Sequence, residues 1–173
     1  HRDLHSFPTR RSSDLQLDPD APDTEGRRAQ LEAERRDYQL NRARQMADKY
    51  SNDLQLRFEL GLLYFKNQRW TEAIQEFQKA QASPHKRIAA LNYLGQCFTR
   101  RGIHDLAVRA FQTAIREKET FDDEKKELIY ELGDALEKAG KGSEAIEQFK
   151  LIYEVDIGYR DVAGKIDRFY AQS

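Results

Sequence analysis

The sequence predicts an all-α chain of stacked helical hairpins, and three observations carry that expectation. From Arg27 to Ala171 the residues are mostly Leu, Ala, Glu, Lys, Gln and Arg, the types that lose least on entering a helix, and the only proline is Pro84. No stretch alternates apolar and polar residues with the two-residue period of a strand. The chain also repeats itself. Gly61, Ala73, Phe77 and Ala80 recur 34 residues later as Gly95, Ala107, Phe111 and Ala114, and Gly133, Ala145 and Phe149 form a third copy a further 38 residues on.

Each copy contains the parts of a hairpin. Its first helix holds a Leu-Gly pair (Leu60, Leu94 and Leu132 precede the three glycines), and the missing side chain lets a neighbouring helix come close. Its second helix holds Ala and, four residues on, a phenylalanine. In the first two copies a second Ala follows three residues later, a spacing that keeps all three on one buried face, and Ile152 takes that last place in the third copy. Gly102 and Gly140 supply the turns, with Asn67 or Gln68 serving in the first copy. Thr71, Asp105 and Ser143 share one repeat position and are good N-cap types, so they are expected to open the second helices. Helix pairs are predicted over 53–66 and 70–82, 86–101 and 104–118, and 122–139 and 142–154. The four residues that lengthen the last interval fall in the polar segment REKETFDDEK.

A period of 34 with Leu-Gly, an aromatic three residues on (Tyr64, Phe98), then Ala, an aromatic and Ala resembles the tetratricopeptide repeat, across about Leu54 to Glu154. The departures are Trp70, where the family often has Tyr, Pro84 one residue early, and Ile152 in place of a small residue. The resemblance implies a right-handed α-solenoid of antiparallel helix pairs with about three repeats, over about 54–87, 88–121 and 126–157. It also implies a role in holding other proteins. Some members hold the terminal carboxylate of a chaperone tail with Lys and Asn residues. The matching places here are Phe58, Leu62, Tyr93, Glu127 and Glu131, none of them cationic, so docking of that kind is not expected.

An end hairpin cannot bury its apolar face alone, so flanking helices are expected on both sides of the repeats, over about 28–50 and 159–171. Tyr38, Ala43, Met46, Ala47 and Tyr50 form a stripe on the first, and Tyr159, Val162, Ile166 and Phe169 recur at helical spacing on the second. The repeat domain as a whole is then expected over 27–171. Upstream, residues 16–26 (QLDPDAPDTEG) are polar and broken by Pro19 and Pro22, and a flexible lead is expected. Residues 1–15 (HRDLHSFPTRRSSDL) resemble a translated sequencing-library adapter, an artefact without expected structure, and the native start is expected to lie out of sight behind it.

The 29 basic and 30 acidic residues nearly cancel, which argues against general nucleic-acid binding, a property that needs a clear basic excess. No apolar run approaches the roughly 18 residues required to cross a bilayer, so no membrane partner is expected. The single Cys97 permits no internal disulfide, and a cytoplasmic setting is expected. Cys97 reads as a small core residue, and His85 and His104 as loop and helix-start residues without metal-ligand spacing. No phosphate-binding glycine loop is present, and Trp70, Phe77, Phe111 and Phe149 recur at core spacing. Glu127, Glu131, Asp134 and Glu137, with Lys126 and Lys138, read as a solvated helix face rather than a catalytic set. No catalytic residue, cofactor or metal is therefore expected, and the chain is read as a non-enzyme.

The surface available for work is the concave face lined by the first helices. Extrapolating the repeat offset, it comprises Gln55, Phe58, Leu62 and Phe65 in the first copy and Asn92, Gln96, Thr99 and Arg100 in the second. Glu127, Tyr130, Asp134 and Glu137 follow in the third. It grades from apolar through amide to acidic, which suits a peptide or helix of a partner protein with cationic side chains at the acidic end. Phe58 and Leu62 are equally open to being covered by the 30–50 helix. The expected function is a non-catalytic protein-interaction scaffold. The alternatives are a spacer or oligomerisation segment of a longer repeat protein, or the helper domain of an enzyme lying upstream.

Overall fold

The computed structural model describes residues 24–172 and forms α1 (Thr24–Lys49), α2 (Leu54–Lys66), α3 (Trp70–Ala80), α4 (Arg87–Arg100), α5 (His104–Glu117), α6 (Asp123–Lys138), α7 (Gly142–Tyr153) and α8 (Val162–Ala171). Among the described residues there is no strand. The chain divides after Gln39 into two units, and the division falls within α1. The adapter-like residues 1–15 and most of the expected lead lie outside the described residues. Thr24 to Gly26, the last three residues of that lead, are helical instead. Past Pro22 nothing breaks the helix, and Glu25 in the first turn complements the positive end of its dipole.

In the smaller unit, the described part of α1 is solvent-facing almost throughout, and Gln30 Nε2 donates to Glu34 one turn on (3.1 Å). The larger unit is an α-solenoid. Each helix from α2 onward packs on the next, and the first helices of successive pairs also touch, α2 with α4 and α4 with α6. Its core is filled at repeat intervals by Phe77, Phe111 and Phe149, all fully buried. A Cβ placed on Gly61 would lie 2.8 Å from the Phe77 ring, one on Gly95 2.5 Å from Phe111, and one on Gly133 2.6 Å from Phe149. The glycine therefore lets each phenylalanine lie directly against the backbone of its partner helix, a distance at which no side chain fits.

The turns inside the three pairs are identical in hydrogen bonding. Arg69 N–H donates to Tyr64 O (2.9 Å) and Gln68 N–H to Phe65 O (3.0 Å). Ile103 and Gly102 do the same to Phe98 and Thr99, and Lys141 and Gly140 to Leu136 and Glu137. This is the Schellman arrangement, which requires a left-handed residue. Gly102 (φ +74°) and Gly140 (φ +77°) supply it in two copies, and Gln68 (φ +59°) in the first. The geometry overturns the expected caps. The residue after the left-handed one already serves as N-cap, so the second helices open from Arg69, Ile103 and Lys141, with no side-chain cap bond. Thr71, Asp105 and Ser143 fall inside the first turn. Side-chain capping appears instead at the starts of α2 and α6, while α4 opens from Lys86 without it. Asp53 accepts from the N–H groups of Gln55 and Leu56, and Asp122 from that of Lys125. The C-terminal helix is shorter than expected, because Arg160 is left-handed (φ +44°) and helical geometry begins only at Val162.

Candidate functional site

The adjacency of α2, α4 and α6 brings the predicted face residues onto neighbouring helices, but the three sections of that face differ in what remains open. On α2, Gln55 is exposed and its Nε2 donates to Glu59 (2.8 Å). Phe58 is buried, 7% exposed, with its ring edge-on to Phe77 (5.6 Å) and Tyr93 (6.1 Å) and under the Lys86 ammonium (5.1 Å). It belongs to the core and leaves the list of partner-contacting residues. The rings that enclose it come from α3 and α4, because Tyr93 reaches back across the pair boundary to stack on Phe77 (5.1 Å, 11° between planes). Phe65 is half-buried between Trp70 (5.3 Å) and Tyr93 (5.0 Å), and Leu62 is half-buried against the core. The apolar section of the face is thus largely filled by the protein's own aromatic cluster.

On α6 the acidic section is met by the protein's own cations. The Tyr130 hydroxyl donates to Asp161 (2.7 Å), its ring lies 4.5 Å from the Arg160 guanidinium, and Lys165 forms an ion pair with Glu137. Burial first, and then the Asp161 carboxylate it bonds, push the Tyr130 phenol well above its ordinary range, and the same bond holds the Asp161 carboxyl below its own. Glu127 is half-buried. Asp134 is held by Lys138 one turn on (2.6 Å).

Between these sections lies a cavity of about 210 Å³, lined by Gln96, Thr99 and Arg100 from α4 and by Tyr130, Glu131, Asp134 and Lys138 from α6. Five of its seven lining residues are among those the repeat offset assigns to the concave face. Glu131 and Lys138 come from the set read as a solvated face, and their inward placement follows from how closely α6 approaches α4. Asn92 sits one turn from Gln96 and accepts its Nε2 hydrogen bond (3.0 Å), while Thr99 Oγ1 donates to Gly95 O (3.0 Å). Arg100 is exposed, with its guanidinium 6.0 Å from the Trp70 ring.

Elsewhere, Cys97 is buried and its thiol pushed up to about 12 by that burial, which leaves almost no thiolate to react at neutral pH. His85 is exposed in a turn, and His104 is the first residue of α5 with a buried Nδ1. Among the described residues, no three His, Cys, Asp or Glu side chains gather as metal ligands, and no helix is long and apolar enough to cross a membrane.

A family model for the tetratricopeptide repeat matches residues 27–86, a span that takes in most of α1 with α2 and α3. Over those residues the chain carries the tetratricopeptide repeat. Two crystal structures of MamA share the fold, one at 19% identity with a TM-score of 0.69, covering 77% of this chain and 75% of the other. The second has 18% identity and a TM-score of 0.70 over 84% and 77%. The C-terminal part of a TPR repeat-containing protein from Cytophaga hutchinsonii is 26% identical with a TM-score of 0.56, over 67% of this chain and 45% of that one. No curated protein matches the chain.

Proposed function

We propose that this chain is a non-catalytic scaffold that holds a peptide or helical segment of another protein on the concave face of α2, α4 and α6. The carrying observation is the cavity between α4 and α6. It is the section of the face where side chains from two adjacent first helices line an open space, with Arg160 from the loop before α8 at its edge. Of the remaining face residues, Gln55 and Glu137 are exposed, Leu62 and Phe65 are half-buried against the core, and Phe58 belongs to the core. The tetratricopeptide repeat is in general a fold for protein–protein interaction, which supports the reading. A partner segment would exchange the hydration of Asn92, Gln96 and Thr99 for hydrogen bonds to its own backbone.

A photo-crosslinking amino acid at Gln96 tests this against the same amino acid at Gln112, exposed on α5. In the intact protein, Gln96 is expected to yield a heterologous crosslinked species that Gln112 does not, and filling the cavity with Thr99→Trp should abolish it at unchanged helicity. Equal products from both positions would reject the groove. Products containing only this chain would point to an oligomerisation segment instead.

A further inference from the structure

The cavity between α4 and α6 has an internal polarity that narrows the partner's chemistry, an inference that rests on the groove reading above. Its carboxylates lie deeper than its cations. The Glu131 and Asp134 side chains are 23% and 27% exposed, against 49% for Lys138, and Arg100 is exposed at the rim. The neutral groups on the opposite wall add acceptors. Gln96 donates one Nε2 hydrogen to Asn92 and keeps its carbonyl oxygen as an acceptor, and Thr99 spends its hydroxyl proton on Gly95 O and keeps its lone pairs.

Beside this floor the molecule already seats one guanidinium. Arg160 lies over the Tyr130 ring at 4.5 Å, with Nη1 3.5 Å from Glu131 Oε1. Arg160 meets Glu131 through that single long contact, and Asp134 is held by Lys138 at 2.6 Å. Burial and the neighbouring Asp134 charge raise the Glu131 carboxyl above its ordinary range despite Arg160. A planar group with five N–H donors suits two carboxylates, two neutral acceptors and an aromatic face better than a compact ammonium does.

We propose that the cavity reads an arginine side chain of the bound segment, its guanidinium bridging Glu131 and Asp134 beside the Tyr130 ring, with Lys138 displaced from Asp134 to the rim.

The test is a titration of the full chain, followed by amide NMR, with an octapeptide of Gly, Ser and Ala carrying one central Arg, and with matched Lys and Gln peptides. The Arg peptide is expected to shift the Gln96, Thr99, Glu131 and Asp134 amides saturably, at least threefold more tightly than the Lys peptide, with no saturable shift from the Gln peptide. Asp134→Asn and Glu131→Gln should each weaken it about tenfold while the spectrum stays dispersed. Arg160→Gln should strengthen it by freeing Glu131. Equal affinity for Arg and Lys, or for Arg and Gln, would overturn the arginine assignment and leave the groove reading standing. Shifts confined to other faces, or none with any peptide, would overturn both.

Discussion

The first and third helix pairs share one backbone plan, yet they close their concave faces by opposite means. In the first, Tyr93 leans back from α4 and fills the space over Phe58 and Phe65 with stacked and edge-on rings. In the third, α8 and the loop before it deliver Arg160, Asp161 and Lys165 to Glu131, Tyr130 and Glu137. The same repeat position holds Phe58 in one and Tyr130 in the other, buried in the first and hydrogen-bonded through its hydroxyl in the second. Repeat geometry therefore fixes where a groove lies, and side-chain identity fixes whether it stays open.

The ionic contacts of the two pairs differ in depth as well, and this gives the largest expected effect. Arg57 on α2 contacts Glu76 (3.3 Å) with both side chains 9% exposed, and it also reaches Asp48 (3.2 Å) on α1. Arg57→Ala should cost about 3 kcal/mol, because a buried Glu76 keeps only the half-exposed Lys79 as partner. Lys141→Ala, at the solvent-facing Glu144 pair of the third helix pair (54% and 60% exposed), should cost about 0–1 kcal/mol. Chemical denaturation of the two variants checks the contrast, and equal losses would break it.

The middle pair sharpens the packing half of the comparison. Gly95→Val places carbon where the Phe111 ring already lies, and overpacking of this kind costs about 1–3 kcal/mol. A thermal melt should show the loss, and an unchanged midpoint would mean that the ring moves aside freely. The turns give the smallest effect, with opposite signs in two copies. Gln68 sits in left-handed backbone where the other pairs have glycine, so Gln68→Gly should stabilise by about 1 kcal/mol and Gly102→Gln should lose about as much. Equal and opposite shifts in melting temperature would show that the turns are interchangeable.

Much of this was legible before any coordinates, for a physical reason. Glycine opposite phenylalanine at a 34-residue interval is a packing instruction, and α2 to α7 run within two residues of where that spacing predicts them. The cap positions were not legible. Ser, Thr and Asp near a helix start look alike in sequence whether they stand before the first turn or inside it, and the Schellman turn decided the matter. Within the candidate site, Gln96, Thr99, Arg100, Tyr130 and Asp134 follow from the offset alone. Glu131 does not, because a carboxylate among other carboxylates on a helix reads as solvated until a second helix is laid against it.

What the sequence determined by itself was the hairpin, its repetition and the line of side chains facing inward, since helix periodicity and the Gly–Phe contact are local or near-local in the chain. Only the tertiary structure decided which part of that line is buried, neutralised or open. Those outcomes depend on Tyr93, Arg160 and Lys165, each arriving from a different helix or loop, and on distances between helices that no spacing in the sequence encodes.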